Sequence, residues 1–321
     1  MASNQIQRIA RALNVGNGIA VSLLILLVLI VVASVLVPNF SHAQNISNIL
    51  RVFSSAGIMA IGLCLVMLTG EIDVSVGSIM SLSVMVSTIF LDSNEIVSLV
   101  VLVVVGAICG LINGILVAVV KAPSLMITIG TLSVFSGLST IVVNAQYKYI
   151  TEAYPVILGV AKSEFFGLPS AFLYCLTFAI LTWIWTNRTA FGKSMYYVGA
   201  NKRAAFMSGI HIVRVKIVAF VVCGILASIS GMMIAAQIGR AKSDIGAGYE
   251  VTAIAIAVLG GTSLFGGRGS TLGVLTGMIT LGVMTNILAL SRMGSYMEIA
   301  MKGALVIAVV FVYELQRRLA R

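Results

Sequence analysis

Charged residues are scarce in this sequence: Asp, Glu, Lys and Arg make up 9% of 321 residues, 10 of them acidic and 20 basic. A soluble domain carries about 25%. The chain therefore has too little charge to coat a water-facing surface, which excludes a soluble enzyme, a disordered tail or a nucleic-acid-binding module. Histidine is rarer still, with only His42 and His211. There is no H-x-x-x-H pair, no pair of catalytic carboxylates and no nucleophile elbow, so neither catalytic residues nor a metal site are expected. The four cysteines, Cys64, Cys109, Cys175 and Cys223, each lie in an apolar run without metal-ligand spacing. They read as small packing or lipid-facing residues, not as disulfides or ligands. Gly192-Lys193-Ser194 resembles the end of a phosphate-binding loop, but Asn187 stands where the first glycine belongs and an apolar span, not a strand, precedes it. No nucleotide site or other cofactor is expected in this chain.

What the sequence has in abundance is apolar surface. Hydrophobic residues are 60% of the total, and one crossing of ~30 Å of hydrocarbon takes about 20 of them, which allows at most about ten crossings. The expected fold is an all-α polytopic membrane protein, residues 1–321 forming a single transmembrane domain. Candidate spans fall at 18–37, 46–69, 96–120, 124–143, 169–187, 212–236, 270–291 and 295–313. Two runs, 76–91 and 252–265, are interrupted by Gly and Ser and are too short to cross as straight helices. The run from Ile19 to Val37 exceeds the 7–15 residues of a signal-peptide core, so it is expected to be retained as the first span.

If both short runs cross, there are ten spans with both termini in the cytoplasm. The cytoplasmic side then holds Arg8, Arg11, Lys121, the basic residues from Arg188 to Lys216, Arg268, Arg317, Arg318 and Arg321. The outer side holds only Arg51, Lys148, Lys162, Arg240, Lys242 and Arg292. That is the positive-inside bias, and it makes the net charge of +10 an orientation signal.

The chain also repeats itself weakly. Asp73-Val-Ser-Val-Gly77 leads into the first short run and Asp244-Ile-Gly-Ala-Gly248 into the second. Gly106-Ala-Ile-Cys-Gly110 and Gly273-Val-Leu-Thr-Gly277 open the spans that follow. The order and spacing suggest duplicated halves, 46–143 and 212–313, an odd number of spans apart and hence inverted. Inverted repeats with glycine-broken helices are a transporter signature, because unwound backbone at membrane depth survives only in a cavity or protein interior.

Individual motifs admit two uses each. The glycines at 106, 110 and 114, and at 273 and 277, permit close helix packing or a moving interface. Asp73 and Asp244 can cap the short helices that follow them or contribute to a pathway. Glu298 and Lys302 can form an i,i+4 pair within the last span or face a polar pathway. Ser75, Ser78, Asn113, Thr252 and Asn286 can bind a neutral polyhydroxy solute or join helices to one another. The loop 188–211 differs in kind. Its basic start and its small residues suit a helix seated in a groove on another protein.

Ile72-Asp73-Val74-Ser75-Val76-Gly77-Ser78, the loop Gly199 to Ile210, Gly248-Tyr249-Glu250 and Val258 to Gly269 together resemble the permease subunit of ribose-type ABC sugar importers, over nearly the whole chain. The family usually has Gly before its Ile-Asp and Asp after its Tyr-Glu-Leu, where this chain has Glu71 and Val251-Thr252. The resemblance implies import of a monosaccharide, ribose or a related sugar, through a permease homodimer in the bacterial inner membrane. It implies a cytoplasmic ATPase subunit, which holds the ATP and Mg, and a periplasmic sugar-binding protein. The family's coupling segment carries over to Asn201, Ala204, Ala205, Ser208 and Gly209. The main alternative is a secondary transporter of a small neutral solute driven by an ion gradient, which shares inverted repeats and broken helices.

Overall fold

In the computed structural model the described residues are 18–142, 144, 146–291, 296–297, 299–301, 303–304 and 307. Glu298, Lys302 and much of the span expected at 295–313 lie outside them. The elements are helices α1 (Gly18–Leu36), α2 (Ala43–Leu68), α3 (Val76–Thr88), α4 (Glu95–Ala118), α5 (Ser124–Ile141), α6 (Pro155–Lys162), α7 (Ser170–Arg188), α8 (Ala190–Ala200), α9 (Lys202–Met207), α10 (Ile212–Ile238), α11 (Tyr249–Leu259) and α12 (Thr271–Leu290). Among the described residues there are also four two-residue strands, β1 (Lys148–Tyr149), β2 (Glu164–Phe165), β3 (Leu168–Pro169) and β4 (Arg240–Ala241).

Two of the long helices begin at a side chain that accepts from their first amides. Asn94 accepts from the amides of Ile96 and Val97 at 2.8 and 3.3 Å to start α4, and Ser270 accepts from Gly273 to start α12. Such caps satisfy amides that have no partner inside the helix. Among the described residues, six helices, α2, α4, α5, α7, α10 and α12, are long and apolar enough to cross a membrane. With 13 and 11 residues, α3 and α11 are not; at 1.5 Å per residue they span only about 20 and 17 Å. Taken as straight helices, both short runs fall short of a full crossing.

Burial places α2 and α10 at the centre, with 78% and 67% of their apolar stretches covered against 22% for α5. α10 packs on α4, α2 and α3, while α12 packs on α2, α11 and α1. The α4–α10 seam depends on glycine. A Cβ on Gly106 would lie 2.5 Å from the Gly224 carbonyl oxygen, and one on Gly114 would lie 3.0 Å from Ile217 Cα. Gly273 and Gly277 perform the same close packing against Ile256 of α11 and Gly260, which follows that helix. The four cysteines are all free and buried, so they are packing residues and do not face lipid.

The segment between α5 and α7 carries structure that hydropathy does not reveal. β1 pairs antiparallel with β4, with Arg240 stacked over Tyr147. α6 and the β2–β3 hairpin follow, and the hairpin is joined to α2 by an Arg51–Glu164 ion pair.

Candidate pathway and coupling sites

The unwound entry to α3 brings four of the polar residues together. Asp73 is fully buried, and its Oδ1 accepts from the Ser75 amide at 2.9 Å and the Ser75 hydroxyl at 2.6 Å. From α4, Asn113 Nδ2 donates to Ser75 Oγ at 2.7 Å, and Ser78 Oγ donates back to the Ser75 carbonyl at 2.8 Å. A donor chain thus runs from Asn113 through Ser75 to Asp73. Asp73 acts on the turn that precedes α3, not as the residue that caps it. Asp73 Oδ2 and Asn113 Oδ1 remain buried without a hydrogen-bond partner, an arrangement that costs free energy unless a ligand or proton joins them.

The other three candidates are elsewhere. Asn286 and Asn45 exchange hydrogen bonds of 2.8 and 3.0 Å, joining α12 to α2. Thr252 is buried and donates to the Gly248 carbonyl one turn back. Asp244 does not cap α11: it is exposed and pairs with Lys242 at 3.2 Å. Gly248 occupies the cap position at φ +82°, and its amide donates to Glu250 Oε1. The two broken entries nonetheless meet, because Gly77 and Gly246 lie in backbone contact and the Gly246 amide donates to Ser81 Oγ at 2.9 Å.

A first prediction follows from the unpartnered oxygen. Asp73→Asn preserves the acceptor for Ser75 and replaces the unpaired oxygen with a donor facing Asn113, so the folded yield and melting temperature should match or exceed wild type. Asp73→Ala removes the turn and should destabilise by about 1–2 kcal/mol, in the range of a lost cap. A lower melting temperature for Asn than for Ala would contradict this reading of the site.

At the end of the bundle where α7 stops, Thr189 caps α8 by accepting from the Gly192 amide at 2.9 Å. Gly192, Lys193 and Ser194 lie in α8 as helix residues. Asn201 Oδ1 then accepts from the Ala204 amide at 3.0 Å and starts α9. Ala204, Ser208 and Gly209 are exposed, but Ala205 is only 4% exposed and packs into this chain. Sequence reasoning missed Phe206 and Met207, which are 68% and 80% exposed on α9. Their signal was present as two large apolar residues in the otherwise small and polar stretch 201–209.

It also missed the role of Glu71. This carboxylate is 8% exposed and receives Lys216 of α10 at 2.5 Å and Lys202 of α9 at 2.9 Å. Burial raises the Glu71 carboxyl, but the bonds from Lys216, Ser124 and Lys202 outweigh it and hold the group below the usual carboxylate range. A buried acid between two bases joins α9, α10 and the α3 entry, with Asp73 two residues away. The same end is tied further by Gly267, whose amide donates to the Leu68 carbonyl, and by Tyr196, whose hydroxyl donates to the Gly269 carbonyl.

The family described as "Branched-chain amino acid transport system / permease component" matches residues 45–311. The chain is 34% identical to the ribose import permease protein RbsC of Escherichia coli K12 over 295 residues, 91% of this chain and 92% of the relative. It is 34% identical to RbsC of Bacillus subtilis over 89% of each chain. It is 30% identical to the galactose/methyl galactoside import permease protein MglC of Haemophilus influenzae over 94% of each. No solved structure matches.

Proposed function

The chain belongs to the branched-chain amino acid transport system / permease component family, and from that premise we propose that it is the membrane-spanning subunit of an ATP-driven, binding-protein-dependent importer of a monosaccharide, ribose or a related sugar. The names of its ribose and galactose relatives support the substrate class. The cytoplasmic side is the end carrying α8 and α9, in keeping with the positive-inside bias of the sequence. The ATPase subunit docks there, the sugar-binding protein docks at the opposite end, and a second copy of the permease completes the pathway. The inverted halves, 46–143 and 212–313, correspond to α2–α5 and to α10–α12 with the span that follows α12. Their support is reciprocal packing, α4 against α10 and α12 against α2, with the two glycine breaks in contact.

One observation carries this reading. The exposed apolar pair Phe206 and Met207 sits on a helix whose Lys202 is ion-paired to Glu71, and Glu71 lies two residues from the buried Asp73 turn. Movement imposed on α9 by a partner therefore has a short, charged route to the break in the membrane interior. A rigid-body shift of packed helices along that route alternates access to the pathway.

The test substitutes the pair that faces outward. Phe206→Ala with Met207→Ser should lower ATPase-subunit binding by tenfold or more, at about 1–3 kcal/mol for each buried large apolar side chain, while the permease melts as wild type. Full ATPase binding by this variant would remove the docking role of α9. A charge at Ala205 is a poorer probe, because that side chain is buried in this chain and the substitution would damage the loop itself.

A second reading, ion-driven secondary transport, is favoured by one feature, the buried Asp73 with its unpaired oxygen. Asp73→Asn separates the two. Uptake that survives this change, and still requires ATP, leaves no ion-coupling role for the carboxylate.

A further inference from the structure

Where α4 ends and α5 and α10 begin, the helix ends enclose an open groove of about 1000 Å³. Part of its wall is apolar, with Val117 and Val213 among its residues, and it also holds Lys121, Lys202, Arg214 and Lys216 against a single acid, Glu71. Lys202 and Lys216 share that acid. Lys121 and Arg214 are exposed and have no ion pair among the described residues, so the groove has a clear excess of positive charge.

Its position matters as much as its charge. The groove opens at the ends of three helices long enough to cross a membrane, and Val119 and Val120 beside it are 54% and 63% exposed. Apolar surface continuing into a cluster of bases at that depth matches a molecule with an acyl chain and an anionic head. A soluble phosphate would use the bases and leave the apolar wall in water. We infer that this groove binds an anionic phospholipid, with Lys121 and Arg214 on the headgroup phosphate and the apolar wall against the first methylenes of the chain. Because Lys202 of α9 forms part of the wall, a bound lipid braces α9 against α4 and α10. Phe206, which the proposed function gives to the ATPase subunit, also lines the groove, so lipid retention is measured on the permease alone and ATPase-subunit binding separately.

The experiment uses the full permease, extracted and placed in nanodiscs made of phosphatidylcholine alone or of equal parts phosphatidylglycerol and phosphatidylcholine. Native mass spectrometry then counts the lipid retained after detergent exchange. Wild type should retain phosphatidylglycerol in preference to phosphatidylcholine and melt at a higher temperature in the mixed discs. Lys121→Gln with Arg214→Gln should retain about tenfold less, since each base near a membrane surface contributes on the order of a few-fold in affinity. Lys121→Arg with Arg214→Lys keeps both charges and should retain the lipid, which separates loss of charge from loss of fold. Free glycerol phosphate and inorganic phosphate should fail to displace it. Equal retention by the charge-removed variant would overturn the inference, and so would displacement by free phosphate, which would mark a soluble-anion site. Loss of ATPase-subunit binding with lipid retention unchanged would assign the groove to a protein partner and overturn it equally.

Discussion

Gly110→Leu is expected to abolish assembly of the folded permease. The Cβ alone would overlap the Phe220 carbonyl and come within 2.9 Å of Val221 Cα, and both obstacles are backbone, which cannot rotate away. Overpacking a side chain against movable neighbours costs about 1–3 kcal/mol, and an immovable seam places this case at or above the top of that range. The damage is also central, because the α4–α10 contact holds Asn113 against Ser75. Folded yield and melting temperature in mild detergent check the effect. Gly130→Leu on α5 is the control, since nothing lies within 4 Å of the added Cβ there. Wild-type melting of Gly110→Leu would mean that α4 and α10 do not pack as described.

Glu71→Gln should have the second-largest effect, on stability and on coupling together. It leaves Lys216, whose side chain is 10% exposed, as a buried charge without a carboxylate. Breaking a buried pair from one side costs about 3–5 kcal/mol, whereas replacing both members with apolar groups is close to neutral. Glu71→Gln should therefore melt well below wild type, and adding Lys216→Met should restore most of the loss. The restored double variant still lacks the bond to Lys202, so it should bind the ATPase subunit and hydrolyse ATP with little uptake. A lowered carboxylate contributes stability that is present above its unfolded value and lost as pH falls through the folded one, so the wild-type tie is intact near neutrality. Normal uptake by the folded double variant would show that the tie is structural only.

Much of the fold is legible in the residues because a membrane imposes a length on every apolar run. Spans expected at 96–120 and 212–236 appear as Glu95–Ala118 and Ile212–Ile238, and the glycine spacing at 106, 110 and 114 identifies the seam before its partner helix is known. The interrupted runs appear as the short helices α3 and α11. The segment between α5 and α7 was opaque, because two-residue strands and an eight-residue helix leave no hydrophobic period to detect.

The candidate site was legible only in part. Asp73, Ser75, Ser78 and Asn113 converge because three of them lie on one turn and the glycine seam brings α4 close enough for the fourth. Asn286 has the same chemistry but finds Asn45, a partner 241 positions away that no local pattern indicates. Glu71 attracted notice only as a departure from the resembled family, because its meaning depends on two lysines 131 and 145 positions later. Ala205 read as partner-facing on composition, yet helix phase turns it inward and turns Phe206 and Met207 out.

The central claim is that this chain moves a sugar only when an ATPase subunit drives it. The direct measurement is uptake of radiolabelled ribose and related sugars into liposomes holding the permease alone, or the permease with its ATPase subunit and sugar-binding protein. The account predicts uptake only in the complete assembly with ATP, no response to an imposed proton or sodium gradient, and weak or no binding of free sugar by the isolated permease. Gradient-driven uptake by the permease alone, without ATP, would contradict it.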